Sequence, residues 1–240
     1  MIRKATAADI AALCPRTLAG HKIHGLFLAY GADYDFLPFW TDDNGGFAAC
    51  LSGCVMADVS ATAADEWACF IQMLPQAAQV ETDATLAAAL VPAYDFTPRP
   101  VLQLPKSTGD AVTPQLSEVY ALEQAVFGAA MPPFADWYTD MSHRLRHGCG
   151  KAVGVYEGDT LVSAALVTLT TDKVGIIGGV ATLPQSRGKG YAHTLVSALA
   201  GDLQRAGKQA LIVPKTSAAD ALYRRWGAVE TDTLFCGTRV

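Results

Sequence analysis

The spacing of apolar residues in the second half of the chain predicts a regular series of helices and strands. Apolar positions recur every three to four residues in its helical segments and alternate or run together in its strands, and polar turns separate the first three strands into an antiparallel meander. In chain order the predicted elements are helices at 116–127 and 134–146, strands at 151–156, 161–169 and 174–183, a helix at 190–206, a strand at 209–213, a helix at 218–226 and a strand at 229–236.

The first half predicts a fainter copy of the same order. A short strand and two helices come first, at 2–4, 8–13 and 16–28. A hairpin, a helix, a strand and a helix then follow at 47–51 with 54–59, 64–73, 78–81 and 84–90. The second half also contains the series hairpin, helix, strand, helix, although the residues do not match. We therefore expect a divergent tandem repeat; an unrelated cap domain is the alternative.

Residues 98–114 (PRPVLQLPKSTGDAVTP) divide the two halves. The segment is rich in proline, contains a Ser-Thr-Gly-Asp turn cluster and has one short apolar strand at 101–104. The sequence thus predicts a degenerate or cap domain at 1–99 and a second domain at 100–240.

The composition narrows the class of protein. The chain has 240 residues, 51% of them apolar and 17% charged, with a net charge of −5. These values argue against disorder, and the acidic balance argues against a nucleic-acid partner. No apolar stretch reaches the length of a membrane span, and the six dispersed cysteines and the pair His143 and His147 do not form a metal-binding pattern. We expect a cytoplasmic protein without a metal or a membrane partner, as a monomer or a homodimer.

One segment of the second half, residues 180–193 (VATLPQSRGKGYAH), has the composition of a ligand-binding turn. A buried strand leads through a proline into a turn with Gly188 and Gly190, and a helix follows at once. Glycines allow a ligand to approach the backbone, and the first N–H groups of a helix attract anions. The segment therefore predicts a diphosphate cradle. The P-loop pattern GxxxxGK[ST] is absent, and the Rossmann pattern GxGxxG with a later acidic residue is not matched, because the next strand ends in Val-Pro-Lys at 213–215.

Two motifs resemble the GCN5-related N-acetyltransferases, the GNAT superfamily. Residues 187–192 (RGKGYA) fit its Q/R-x-x-G-x-G/A signature, and residues 219–227 (ADALYRRWG) resemble its A-x-x-L-Y-x-x-x-G segment. The resemblance covers roughly residues 112–240. Residues 2–13 (IRKATAADIAAL) also look like a first GNAT strand and helix, which favours two tandem units. The resemblance implies the GNAT acyl-CoA N-acyltransferase fold, an α/β fold with a mixed, mostly antiparallel central sheet flanked by helices.

The resemblance also implies a site for acetyl-CoA. Backbone N–H groups of the turn would bind the diphosphate, and the end of the preceding strand would pair with the pantetheine arm and orient the thioester. The cofactor-binding residues implied are Val180, Ala181, Thr182, Arg187, Gly188, Lys189, Gly190, Tyr191, Ala192, His193 and Thr216. The superfamily often has Asn at the position of Thr216, and Thr216 or Ser217 would also serve as a helix cap, with Ser217 and Asp220 matching a capping box.

Tyr223 matches the general acid of the superfamily. A thiol has a pKa of about 8.5 and a phenol one of about 10, so proton donation to departing CoA is feasible. A Tyr packed between a helix and the sheet is the alternative. Many members carry a Glu on the central strand as the general base, but residues 174–180 and 209–214 contain no acid. The base is therefore open; a water chain or a residue of the N-terminal half would serve.

The expected function is an N-acetyltransferase in which a primary amine attacks acetyl-CoA directly within a ternary complex. The acceptor, a small molecule or a peptide, is expected near Phe134, Trp137 and Tyr138, which the resemblance places at the acceptor pocket and which are equally plausible as core residues. One alternative is a CoA-binding regulatory or interaction module without turnover. Another is a transferase for a longer acyl-CoA, because Gly178 and Gly179 would leave space beside the thioester.

Overall fold

The computed structural model describes residues 1–109 and 111–240, which divide into two compact units. The N-terminal unit comprises Met1–Val101 and Glu230–Val240, and the C-terminal unit comprises Leu102–Val229. The sequence placed the whole last strand in the second domain, whereas residues 230–240 group with the N-terminal unit. Asp110, the last residue of the predicted Ser-Thr-Gly-Asp turn, lies outside the described residues.

The helices and strands follow the order expected from the sequence, with two differences. In chain order they are β1 (Arg3–Lys4), α1 (Ala7–Ala11), α2 (Leu18–Tyr30), β2 (Phe39–Thr41), β3 (Phe47–Leu51), β4 (Cys54–Asp58), α3 (Ala64–Met73), β5 (Gln79–Thr82), α4 (Ala84–Leu90), β6 (Tyr94–Gln103), α5 (Leu116–Phe127), α6 (Phe134–Arg146), β7 (Lys151–Glu157), β8 (Thr160–Thr170), β9 (Val174–Thr182), α7 (Tyr191–Arg205), β10 (Gln209–Ile212), α8 (Ser217–Arg225) and β11 (Val229–Arg239). Strand β2 was not predicted. Much of β6 was predicted as linker, because Pro98 and Pro100 suggested a break.

The N-terminal unit contains a sheet with the strand order β1-β2-β3-β4-β5-β11-β6. The β3–β4 hairpin turns at Ser52 and Gly53, both with positive φ, as its sequence predicted. Strands β4 and β5 pair in parallel, and β11 pairs with β5 antiparallel, from Phe235 opposite Thr82 to Thr238 opposite Gln79. That pairing explains why the last strand belongs to this unit. A core around the fully buried Trp67 fills the space between the sheet and its helices.

The C-terminal unit contains strands in the order β10-β9-β8-β7, with Leu102 and Gln103 paired antiparallel on the outer side of β10. Strands β7, β8 and β9 form the predicted meander, and β9 pairs in parallel with β10. Both units therefore contain an antiparallel hairpin, a helix, a strand parallel to the second hairpin strand and a further helix. The predicted repeat of elements and the mixed, mostly antiparallel sheet are confirmed.

The separation of β9 from β10 shapes the C-terminal unit. Their pairing ends at Ile177 opposite Ile212, while β9 continues to Thr182 with β8 as its partner. Between Gly178 and Ala181 the register with β8 shifts at a β-bulge, and Gly179 has a φ of 58°. One edge of β9 is therefore open on the side from which β10 has ended.

Across the described residues there is no helix long and apolar enough to cross a membrane. Outside Asp110, the structure has no group of three or more His, Cys, Asp or Glu side chains that could hold a metal ion.

Candidate active site

A cavity of about 520 Å³ lies in the C-terminal unit where β9 runs into α7. Its walls come from the end of α5, the open end of β9, the turn before α7 and the first turn of α7, and one face of α8. The lining residues are Val126, Phe127, Val180, Thr182, Ser186, Arg187, Gly188, Gly190, Tyr191, Ala192, His193, Ala219, Leu222, Tyr223 and Trp226. The structure thus brings most of the predicted cofactor residues and Tyr223 to one cavity.

The glycine turn gives the cavity a set of free backbone donors. Gly188 and Gly190 have φ values of 81° and 85°, and Gly190 is the N-cap of α7. A residue with a Cβ adopts this conformation only at a cost, so the turn requires glycine. The N–H groups of residues 188–193 have no hydrogen-bond acceptor within the described chain, and the first turn of α7 contains no acidic residue. The arrangement suits an anion.

The corresponding helix of the N-terminal unit differs. Helix α3 follows β4 through a 3-10 turn at Ala61–Ala63, without glycine, and Asp65 and Glu66 lie in its first turn. Two carboxylates at a helix N-terminus repel an anionic ligand such as a diphosphate. The anion-binding geometry is therefore specific to the C-terminal unit.

The two cations of the signature have different positions. Arg187 lines the cavity, and its Nε donates a hydrogen bond to the Thr182 carbonyl at 3.2 Å. Lys189 does not line the cavity, and its Nζ lies 2.8 Å from Glu157 Oε1. Only the backbone of Lys189 is placed for the role that the resemblance implied.

The end of β9 presents alternate residues to the cavity. Val180 and Thr182 line it, whereas the Ala181 side chain points to the opposite face and is 1% exposed. Thr182 is also tied to the meander, because its hydroxyl lies 2.8 Å from that of Ser163. The backbone groups of Val180 and Thr182 face the strand edge that β10 leaves open, whereas the Ala181 carbonyl accepts a hydrogen bond from Ser163 Oγ of β8 at 3.1 Å.

Tyr223 lies on the cavity-facing side of α8. Its side chain is 7% exposed, and burial raises the pKa of its hydroxyl to about 12. The ring contacts that of Trp226 edge-on, and Trp226 in turn contacts His193. The Tyr223 hydroxyl makes no hydrogen bond to any described residue, so it is protonated and available.

Thr216 is not among the residues that line the cavity. It is the N-cap of α8, and its hydroxyl accepts a hydrogen bond from the Ala219 N–H at 3.2 Å. The capping alternative is therefore what the structure shows, with Thr216 as the cap and Ser217 as the first helical residue. The predicted capping box of Ser217 and Asp220 is not formed.

The three aromatic residues expected at an acceptor pocket lie on α6, outside the lining of the cavity. Phe134, Trp137 and Tyr138 form an aromatic cluster with Tyr120 of α5, with ring centroids 5.0–5.3 Å apart in the contacting pairs. Phe134 and Tyr138 are 47% and 39% exposed. Phe134 and Tyr138 thus form an exposed surface, whereas Trp137 packs against the buried core of the unit, as the alternative interpretation expected.

Helix α5 contributes to the site, which the sequence did not predict. Val126 and Phe127 line the cavity, and Glu123, one turn earlier on the same helix face, is buried with 2% exposure. Burial raises the pKa of Glu123 to about 7, although Trp137 and Lys215 act in the opposite direction. An acidic residue among apolar ones on a predicted helix (LEQAVF) was the available signal.

Comparison with known proteins supports this description. Residues 152–234 match a family model described as FR47-like protein. A GCN5-related N-acetyltransferase from Kribbella flavida has a TM-score of 0.62 at 16% identity, over 92% of this chain and 94% of its own. One from Sphaerobacter thermophilus has a TM-score of 0.63 at 17% identity, over 99% and 94%.

A tandem GNAT protein from the clavulanic acid biosynthesis pathway has a TM-score of 0.60 at 12% identity, over 100% of this chain and 98% of its own. The search of curated proteins returned no match. At these identities the structures establish the fold, and a tandem protein covers both units. Residues 152–234 therefore resemble the FR47-like family, and the chain as a whole has the fold of the GCN5-related N-acetyltransferases.

Proposed function

We propose that the protein transfers an acetyl group from acetyl-CoA to a primary amine of a small molecule or peptide. The observation that carries the proposal is the single cavity that combines unpaired N–H groups at residues 188–193, the open edge of β9 and the Tyr223 hydroxyl. Acetyl-CoA contains a diphosphate, an extended chain with amides and a thioester sulfur. These three groups match the three features of the cavity in that order.

The chain would hold acetyl-CoA mainly through its backbone. The N–H groups of the turn and of the first turn of α7 fit a diphosphate, and Arg187 adds a positive charge beside them. The backbone of Val180 would pair with an amide of an extended pantetheine arm, as an added strand would. The neighbouring Thr182 carbonyl already accepts a hydrogen bond from Arg187 Nε. The apolar side chains of Val126 and Leu222 line the same cavity.

Tyr223 would assist departure of the thiolate. With a pKa of about 12, complete transfer of its proton to a thiolate of pKa about 8.5 costs roughly 5 kcal/mol. The hydroxyl therefore first donates a hydrogen bond to the sulfur as negative charge develops there. Its proton moves to the sulfur only as a second proton reaches the phenol oxygen. Such proton donation accelerates a reaction by a factor of about 10² or more.

The geometry favours a short acyl group. A Cβ added at Gly178 would meet Thr168, and one at Gly179 would overlap the Glu123 carboxyl and Leu166. The space that these glycines were expected to leave for a longer chain is thus filled by neighbouring side chains. We infer acetyl-CoA as the donor on this ground.

The first experiment is thermal unfolding of the protein with acetyl-CoA and with free CoA, using NAD and ATP as controls. A ligand that binds only the folded state raises the melting temperature, by an amount equivalent to about 2.7 kcal/mol at 100 times its Kd. Stabilisation by both CoA species and by neither control supports the proposal. Absence of any response to CoA at saturating concentration would overturn it.

A CoA-binding module without turnover is the second candidate, since β9 carries no acid and Thr216 lies outside the cavity. Tyr223→Phe separates the two candidates. For an enzyme we expect kcat to fall about 10²-fold with an unchanged Kd for CoA, because the ring packing against Trp226 is retained. A wild-type protein that binds CoA but releases no thiol with any amine of a broad panel would support the module.

A further inference from the structure

Glu123 has a position that neither packing nor the cradle explains. It projects from α5 into the space beside Gly179 of β9, where a Cβ at position 179 would overlap its Oε1 atom. Because Gly179 has no side chain and lies at the bulge with a φ of 58°, the helix carboxyl occupies the place of a strand side chain. A carboxyl from α5 thus lies beside β9, a strand that has no acidic residue of its own.

The Glu123 carboxyl is buried without full compensation. Its side chain is 2% exposed, and its Oε1 atom is buried without a hydrogen-bond partner in the described structure. Such a group costs free energy that an apolar residue would avoid. An unpaired acceptor atom in this place is therefore evidence of a ligand that brings a donor.

Glu123 lies next to residues that line the cavity, both on its own helix and on the strand that its carboxyl contacts. Val126 and Phe127, three and four residues later on the same helix face, both line it. On the strand side, Gly179 directly precedes Val180, which also lines it. Glu123 itself is not among the residues that line the cavity, but its carboxyl lies beside Gly179, which directly precedes the strand segment to which we assign the thioester.

We propose that Glu123 is the general base, which takes a proton from the acceptor amine; this inference rests on the proposed acyl transfer. The ammonium group loses one proton to the Glu123 carboxylate, and the free amine forms a bond to the thioester carbon as the carbon–sulfur bond breaks. The sulfur takes the Tyr223 proton, the second proton of the nitrogen passes to the tyrosine oxygen, and Glu123 returns its proton to solvent. The acceptor that this favours is a cationic primary amine.

Few groups act on the charge of Glu123. Trp137 of α6 and Lys215, which follows β10, favour the carboxylate, while burial opposes it and dominates, so that its pKa is about 7. From the strands, β8 presents Leu166 and β9 presents Gly179, neither of which titrates. A carboxyl with this pKa changes its protonation state near neutral pH, as a general base requires.

The test compares Glu123→Gln with Glu118→Gln, in the full chain and with acetyl-CoA and a panel of primary amines. Glu118 is on the same helix, but its carboxylate accepts a hydrogen bond from Tyr156 at 2.5 Å and does not line the cavity. We expect E123Q to lower kcat about 100-fold or more at pH 7.5, with the Kd for CoA within about twofold of wild type. E118Q should keep the wild-type kcat.

The pH profile gives a readout that a structural role would not change. For the wild type, kcat should rise with pH to a plateau above about pH 7. For E123Q it should lack this inflection and continue to rise as solvent deprotonates the amine. If E123Q does not bind CoA, Glu123→Asp keeps the acid at a shorter reach and should retain the inflection with a lower kcat.

Each outcome is decisive for one proposal. A wild-type kcat and an unchanged pH inflection in E123Q would overturn the role of Glu123 and leave the transferase standing. An E123D variant that binds CoA yet lacks the inflection would also overturn it. If the wild type binds CoA but turns over no amine, the proposed function itself is wrong.

Discussion

If residues 188–193 bind the diphosphate of CoA, one glycine substitution should reduce both stability and CoA binding, and a matched substitution should reduce stability alone. Gly190 and Gly207 flank helix α7, at its N-cap and just beyond its C-cap, with φ values of 85° and 74°. A Cβ at either position meets no atom within 4 Å. Gly190→Ala and Gly207→Ala therefore introduce the same kind of backbone strain without a clash, but only Gly190 lines the cavity.

The expected loss of stability is similar for both variants. The left-handed conformation costs a residue with a Cβ about 1–2 kcal/mol. In a chain of this length, 1 kcal/mol lowers the melting temperature by about 2–4 °C. We therefore expect both variants to melt a few degrees below the wild type, with the same enthalpy of unfolding.

The expected loss of affinity differs. A methyl group at position 190 would keep a diphosphate from the N–H groups of Tyr191 and Ala192, which have no other acceptor in the described chain. A hydrogen bond to a charged group contributes about 1.5–3 kcal/mol. Loss of one such bond raises the Kd for CoA by roughly 10- to 150-fold. Gly207→Ala should bind CoA as the wild type does.

Isothermal titration of CoA at fixed ionic strength, well below the melting temperatures, measures both affinities. Equal Kd values for Gly190→Ala and the wild type would refute the assignment of the cradle. An equal loss in both variants would show that affinity follows the stability of α7 and not contact with the diphosphate.

Three further predictions concern buried polar groups. Trp67→Phe removes the indole hydrogen bond to the buried Asp42 carboxylate (2.7 Å), which should lower the free energy of unfolding in urea by about 1–3 kcal/mol; an unchanged midpoint would contradict this. Arg239 donates hydrogen bonds to the Ala77 carbonyl at 2.9 Å and to the Tyr94 hydroxyl at 2.7 Å, so Arg239→Met should cost about 2 kcal/mol or more by the same assay, with unaltered CoA binding. Burial raises the pKa of Glu123 from 4.5 to about 7; the unfolded chain therefore loses this proton first, and the stability of the wild type should fall by about 3 kcal/mol between pH 4.5 and pH 7. Glu123→Gln should lack that decrease, and parallel pH curves for the two proteins would show that the carboxyl is not buried as described.

The sequence determined the features that depend on neighbouring residues. The turn at Gly188 and Gly190, the start of α7 and the hairpin turn at Ser52 require particular backbone conformations or cap residues within a few positions of each other. The repeated order of elements was likewise visible in the apolar spacing. These features were predicted in the correct places for that reason.

Contacts between residues distant in sequence decided the rest. The pairing of β11 with β5 joins residues about 150 positions apart, and no local pattern assigns that strand to the N-terminal unit. The end of the β9–β10 pairing at Ile177, which opens the strand edge, depends on where two strands diverge. Glu123 reaches Gly179 only through the packing of α5 on the sheet. The sequence by itself thus determined the glycine turn before α7, because the turn is built from one continuous backbone segment. The acid beside the strand was decided by the tertiary structure, because its carboxyl and the glycine that admits it are brought together only by folding.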